Sequence, residues 1–192
     1  MAHLVLATGG SRSGKSEFAE RYLAACPGRH AYIATARALD AEMKARIDRH
    51  QARRPAAWQT FEVPSGLLGQ LDHILAHADA LLIDCLTLYV SNFLLQRTAQ
   101  PFADSIAKAE HEWALVLRTL RQSGEKTIVI VTDEVGSGIV PMEPLSRQYR
   151  DLLGLLNQQT AAAADEVYVS ICGITTEIKA KSVHLPPVED HS

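Results

Sequence analysis

An α/β fold with a mostly parallel central sheet flanked by helices is what this 192-residue sequence predicts. Three observations predict it. Apolar runs of strand length alternate with segments of helical period along the chain. The central runs, Leu81-Leu82-Ile83 and Ile128-Val129-Ile130-Val131, are apolar without interruption, as strands covered on both faces are. The first run, Leu4 to Thr8, enters Gly9-Gly10-Ser11-Arg12-Ser13-Gly14-Lys15-Ser16, a complete phosphate-loop pattern in its strand–turn–helix setting.

Each element follows in order. Glu17 to Ala24 reads as the helix that the glycine-rich turn feeds, and Tyr32 to Thr35 as a short strand after the Pro27-Gly28 break. Asp40 is placed to cap a helix running to about Arg53, with Glu42 in its first turn, Met43 and Ile47 as its apolar contacts, and Pro55 as its stop. Trp58 to Val63 alternates as a strand. Leu67, Leu68, Leu71, Ile74 and Leu75 then give an amphipathic helix, and Ala80 to Asp84 a buried strand ending in a carboxylate. Leu86 to Leu95 has helical period despite Thr87, Tyr89 and Val90. Pro101 to Asp104 makes a break and a cap before a long helix, Ile106 to Leu120, with Trp113, Val116, Leu117 and Leu120 inward. Lys126 to Thr132 is the clearest buried strand, Asp133 to Pro141 a loop, and Leu145 to Ala163 a helix. Val167 to Ile171 is the next strand, and Ser182-Val183-His184-Leu185 the expected edge strand.

Composition bounds the function. The length suits one domain, 1–192, with a sizeable core, and 47% hydrophobic residues is ordinary for a globular chain. A net charge of −3 draws the whole molecule neither to nucleic acid nor to an anionic membrane, so a polyphosphate ligand requires positive charge gathered locally. No run approaches the roughly 18 apolar residues of a membrane span, and the first strand begins too early for a signal peptide. Cys26, Cys85 and Cys172 are odd in number, widely spaced and in apolar surroundings, which reads as reduced core thiols and not as a disulfide frame or zinc site. A cytoplasmic enzyme fits.

Three groups can carry chemistry. In the phosphate loop, backbone N–H groups of Gly9 to Gly14 can converge on an anion, Lys15 supplies a point charge for the β- and γ-phosphates, and the Ser16 hydroxyl can ligate phosphate-bound Mg²⁺. Asp84 closes a buried strand, where ligands of such sheets collect. It has two readings: the metal carboxylate of a phosphate-loop enzyme, or a cap for the helix starting near Leu86.

On the Asp40–Arg53 helix, Arg46, His50 and Arg54 recur at four-residue spacing, with Arg49 and Arg53 beside them and Asp48 the one nearby anion. Such repulsion is useful where a phosphate chain binds, and nearby positive charge favours the neutral, nucleophilic imidazole. A solvated basic face is the plainer reading. Glu134, with Gly136 and Gly138, follows the strongest strand. Glu134 reads as a metal ligand, a base or a substrate-orienting group, and equally as part of an ordinary connecting loop. His3, His73, His77, His111 and His184 have no metal-ligand spacing, and Arg147, Arg150 and Asp151 are explained by surface ion pairing.

The combination resembles one family over nearly the whole chain. It comprises the phosphate loop, Ala34-Thr35, Asp40, Glu42-Met43, Arg46-Ile47, His50, Arg54-Pro55 and Trp58, then Asp84-Cys85-Leu86-Thr87 with Asn92. Further on it includes Glu134-Val135-Gly136, Gly138 to Pro141, Arg147, Arg150-Asp151, Asn157-Gln158, Ala163 to Val167, Gly173 and Ile178-Lys179. In these the sequence is similar to the bifunctional adenosylcobinamide kinase/adenosylcobinamide-phosphate guanylyltransferases of cobalamin biosynthesis.

The resemblance implies a RecA-like phosphate-loop NTPase architecture and two reactions. ATP or GTP phosphorylates the aminopropanol hydroxyl of adenosylcobinamide. GTP then guanylylates a histidine, releasing pyrophosphate, and the cobinamide phosphate takes the GMP to give adenosylcobinamide-GDP. The family's histidine falls on His50, its loop lysine and serine on Lys15 and Ser16, and its strand-end acid on Asp84. Arg12, Ala34, Thr35, Arg46, Arg49, Arg53, Arg54 and Glu62 are placed in the nucleotide-binding set, with Mg²⁺ on Ser16 and Asp84. A homo-oligomer, a trimer with sites near subunit contacts, is implied as well. One departure is Asp133, where asparagine is common. The competing readings are a phosphate-loop kinase for another small molecule and a nucleotide-dependent regulatory protein.

Overall fold

The computed structural model describes residues 1–38, 40–97 and 101–183, without the side chains of Arg46 and Arg53. Within these the chain runs β1 (His3–Gly9), α1 (Lys15–Ala24), β2 (His30–Ala34), α2 (Ala41–Arg53) and β3 (Gln59–Glu62). A 3-10 turn, Leu67–Gln70, leads into α3 (Leu71–His77), β4 (Ala80–Asp84), α4 (Leu86–Leu95) and α5 (Phe102–Arg121). The chain continues through β5 (Thr127–Val131), α6 (Pro144–Ala163), β6 (Glu166–Ile171) and β7 (Ile174–Glu177).

The seven strands form one sheet in the order β3-β2-β4-β5-β1-β6-β7, parallel except for the antiparallel β6–β7 hairpin. The phosphate-loop strand β1 and the Asp84 strand β4 are separated by β5, as a RecA-like arrangement requires. Alternating side chains divide the core. Leu4, Leu6, Ile33, Leu81, Ile83, Ile128 and Ile130 pack on one face beneath α3, α4, α5 and α6. Val5, Ala7, Tyr32, Leu82, Val129 and Val131 pack on the other against Ala19 and Leu23 of α1 and against Trp58. The inward stripe of α5 is as the spacing predicts, and Trp113 donates its indole N–H to Thr160 Oγ1 at 2.8 Å.

Register aligns the strand ends. Ala34 pairs with Asp84, Asp84 with Val131, and Val131 with Ala7. The exits of β2, β4, β5 and β1 therefore form one row, from which the glycine-rich loop and α2 depart. Among the described side chains of α2 none is fully buried, so this helix stands over the strand ends instead of packing on the sheet.

Four expectations are corrected. Among the described residues the edge strand beside β6 is β7; of the expected 182–185 strand, Ser182 and Val183 are not in a strand, and His184 and Leu185 lie outside the described residues. The polar run Ile174-Thr175-Thr176-Glu177 becomes a strand because the turn at Cys172 and Gly173, both at positive φ, folds it back on β6. Asp104 lies inside the first turn of α5, whose N-cap is Pro101. Cys172 sits exposed on that hairpin turn, while Cys26 is half-buried and Cys85 buried, so only Cys85 meets the reading of a core thiol in full. Arg147 does more than pair with surface carboxylates. It donates to the carbonyls of Pro141 at 3.0 Å and Met142 at 2.5 Å and holds the loop before α6, whereas Arg150 does lie 3.5 Å from Asp151.

Candidate active site

The glycine-rich loop is held by backbone conformations its residues were chosen for. Gly9 and Gly14 have φ of 153° and 97°, and a methyl on Gly9 would run into the Ser170 carbonyl. Gly173 N–H donates to Ser13 O at 2.9 Å, so the β6–β7 turn braces the loop from outside. Lys15, only 7% exposed, donates to Gly10 O at 3.0 Å and makes an ion pair with Asp133 Oδ1.

Asp84 is not a cap. The N-cap of α4 is Cys85, which makes no side-chain cap bond, and Asp84 instead accepts a 2.5 Å hydrogen bond from Tyr32 Oη. Burial, with the negative charge of Asp84 behind it, pushes the Tyr32 phenol well above its usual range, so Tyr32 remains a donor. The Arg54 guanidinium lies 3.4 Å over the Tyr32 ring, and its Nε and Nη1 are buried without a hydrogen-bond acceptor among the described residues. Burial, then the charge of Asp84, raises the Cys85 thiol to about 12, which leaves it an inert neighbour.

Behind Asp84 a buried polar network fixes the strand exits. Thr35 Oγ1 donates to Cys85 O at 2.7 Å and accepts from Cys85 N at 2.8 Å. Asn92, from α4, donates its amide to Thr35 O at 2.8 Å and Pro64 O at 3.0 Å. On the other side Thr87 Oγ1 accepts from Asp133 N at 2.7 Å, and Asn157 Nδ2 donates to Asp133 O at 3.1 Å.

Asp40 caps α2 as its position predicts, accepting from Met43 N at 2.7 Å. Met43, Lys44, Ile47, Asp48, His50, Gln51 and Arg54 then face a cavity of about 330 Å³ whose other walls include Lys15, Ser16, Ala34, Glu62, Asp84 and Asp133. The helix residue His50 and the phosphate-loop Lys15, 35 positions apart in sequence, thus line one space. Helix spacing says which residues share a face and not what the face meets, so this meeting is a finding of the structure.

Several expected site residues fall elsewhere. Arg49 is exposed and turns back to Ala45 O of its own helix at 3.2 Å. Arg12, Gly10 and Ser11 are exposed and do not line the cavity, and Thr35 is buried behind its wall. Glu134 accepts from Ser137 Oγ at 2.7 Å, Gly136 N at 2.7 Å and Ser137 N at 3.2 Å; these bonds, Ser137's hydroxyl foremost, hold its carboxyl below the usual range. Its side chain closes its own turn, and Glu134, Gly136 and Gly138 are outside the cavity wall. Arg46 and Arg53, expected beside His50, have side chains outside the description.

The expected concentration of positive charge is also absent from the described wall. Lys15, Lys44 and Arg54 are set against Asp48, Glu62, Asp84 and Asp133, three cations to four carboxylates. Asp48 is in addition paired with Lys44 at 3.3 Å. Sequence reasoning gave no site role to Tyr32, nor to Asp133, which it named only as a departure from the family pattern. Their one signal was position: Tyr32 is two residues before the end of β2, and Asp133 is two past the end of β5.

Residues 5–178 match the family model described as cobinamide kinase/cobinamide phosphate guanyltransferase. The chain is 41% identical to the bifunctional adenosylcobalamin biosynthesis protein CobU of Salmonella typhimurium over 181 residues, which is 92% of this chain and 99% of that protein. It is 39% identical to the bifunctional adenosylcobalamin biosynthesis protein CobP of Pseudomonas aeruginosa, covering 94% of this chain and 99% of the relative. The Escherichia coli CobU of the same description is 39% identical over 92% of this chain and 99% of its own length.

Proposed function

The chain belongs to the cobinamide kinase/cobinamide phosphate guanyltransferase family, and from that membership we propose that it uses the cavity over its strand ends for both reactions. One domain, 1–192, carries them. The observation that supports this most directly is the meeting of Lys15, Ser16, Asp84 and His50 around one cavity of about 330 Å³. A space of that order suits a nucleotide-sized ligand. The corrin macrocycle therefore stays at the mouth and presents only its aminopropanol arm.

In the guanylyl half-reaction the neutral His50 imidazole attacks the α-phosphorus of GTP. A nitrogen–phosphorus bond forms, the α–β bridging bond breaks, and pyrophosphate leaves with Lys15 offsetting its charge. A phosphate oxygen of adenosylcobinamide phosphate then attacks the same phosphorus. The nitrogen–phosphorus bond breaks, His50 is regenerated, and adenosylcobinamide-GDP is released. In the kinase half-reaction the substrate hydroxyl attacks the γ-phosphorus of ATP or GTP directly: an oxygen–phosphorus bond forms, the β–γ bridging bond breaks, the nucleoside diphosphate leaves and the hydroxyl proton passes to water.

The Ser16 hydroxyl and Asp84 carboxylate are hard oxygen donors on the cavity wall and fit Mg²⁺, which is ordinarily held by one or two carboxylates plus substrate phosphates. When bound it would neutralise phosphate charge. Tyr32 orients the Asp84 carboxylate, and Arg54, stacked on Tyr32, ties the end of α2 to β2.

The homo-oligomer, a trimer, is proposed on the same resemblance. Apolar side chains at Ile139, Met142 and Ile174, which are 97%, 95% and 75% exposed, support self-association. No described helix is long and apolar enough to cross a membrane. The cytoplasm is the proposed setting, since both reactions consume nucleoside triphosphates.

The test is covalent labelling. Mixed with α-labelled GTP and Mg²⁺ without acceptor, the protein should take up label and release pyrophosphate. The label should resist alkali and be lost in acid, and peptide mapping should put it on His50. His50→Ala should abolish labelling while retaining phosphorylation of the cobinamide hydroxyl. Adduct formation at the wild-type rate in His50→Ala would refute the assignment.

A further inference from the structure

The loop lysine does not point into an empty cradle. Lys15 Nζ is ion-paired with Asp133 and bonded to Gly10 O, in a site where its side chain is 9% and that of Asp133 24% exposed. We propose that Asp133 is the counter-ion that occupies Lys15 until nucleotide arrives, and that it makes nucleotide entry depend on an accompanying divalent cation. This rests on the phosphate-loop site proposed above and adds to it a determinant of which form of the nucleotide is admitted.

Three observations carry the inference. The pair is shielded from water, so the lysine's charge is largely satisfied before any phosphate approaches. Among the described side chains of the cavity wall three are cationic and four are carboxylates, so releasing Asp133 from Lys15 adds to negative charge already on that wall. Finally, Asp133 cannot readily withdraw. Its N–H is held by Thr87 Oγ1 and its carbonyl by Asn157 Nδ2, so the main chain keeps this residue beside the loop whichever partner Lys15 takes.

When Lys15 transfers to a phosphate, Asp133 is left as a carboxylate beside phosphate oxygens. For metal-free nucleotide that juxtaposition is repulsive, whereas a nucleotide carrying a divalent cation brings the offsetting charge with it. The same backbone anchors mean that Asp133→Asn keeps the size, position and main-chain bonds of the residue and removes only its charge.

Equilibrium binding of a fluorescent GDP analogue, with Mg²⁺ and with EDTA, tests this without turnover. Wild type should bind markedly tighter with Mg²⁺ than in EDTA. Asp133→Asn, checked for fold by circular dichroism, should bind metal-free GDP about tenfold tighter than wild type, with the ratio between the two conditions reduced accordingly. A folded Asp133→Asn whose affinity in EDTA is unchanged or weaker overturns the proposal. So does wild-type protein that binds equally well in both conditions, a result that needs no variant to fold. Absence of any binding by wild type, even with Mg²⁺, would instead overturn the nucleotide site itself.

Discussion

Asn92→Ala should cost the protein about 2–4 kcal/mol, and the figure can be worked from two hydrogen bonds. Asn92 is 5% exposed and its amide bridges Thr35 O, at the exit of β2, to Pro64 O, just past β3. Removing the amide leaves two carbonyls short of a donor, each worth about 1–3 kcal/mol if no water enters, so about 2–6 kcal/mol together. Partial hydration of the vacated space keeps the sum near the lower bound. For a chain of this size that corresponds to a fall in Tm of about 5–15 °C. Urea unfolding followed by circular dichroism measures it, and Asn92→Asp isolates the cause. That substitution keeps the volume but, ionised at pH 7, offers no donor and sets negative charge against two carbonyl oxygens, so it should lose at least as much as Asn92→Ala. Because Thr35 also clasps Cys85 through its hydroxyl, both variants should slow labelling of His50. An Asn92→Asp protein with the wild-type urea midpoint would refute the donor argument.

Two further outcomes follow from the geometry. Asp165 is partly buried, which alone would raise its carboxyl, but the hydrogen bonds from Arg121 at 2.7 Å and Leu4 N–H at 2.8 Å outweigh burial and hold it below the ordinary value. A depressed folded value adds stability that is present above the unfolded value of about 3.9 and is lost as pH falls through the lower folded one. Asp165→Asn should therefore flatten the acid limb of a Tm-against-pH curve below about pH 4; an unchanged limb would dismiss the pair as a contributor. Gly9→Ala should weaken nucleotide binding at least tenfold and lower Tm, because the added methyl meets a backbone carbonyl that cannot swing aside and a positive φ that an L side chain resists. Wild-type binding by that variant would show that the loop relaxes freely.

Much of this molecule was decided locally and could be read from the chain. Periodicity and turn chemistry placed Ala80–Asp84 and Leu86–Leu95 to the residue, and Asp40 as the cap of α2, because those properties depend on neighbours a few positions away. The phosphate loop was legible for the same reason: its glycines, lysine and serine act through one continuous turn. What tertiary structure decided is who meets whom. Parallel register put Ala34, Asp84 and Val131 in one row and so set α2, with His50, over the loop. No local signal announces that Asp133 takes Lys15, and the spacing of Arg49 and Glu134 does not say that each keeps to its own helix or turn instead of reaching the cavity. A charged side chain chooses among all the partners that folding brings within a few ångströms, and sequence separation says nothing of that choice. The basic character of α2 was thus written in the chain, while the charge balance of the cavity beneath it arose only when four strand ends and a loop came together.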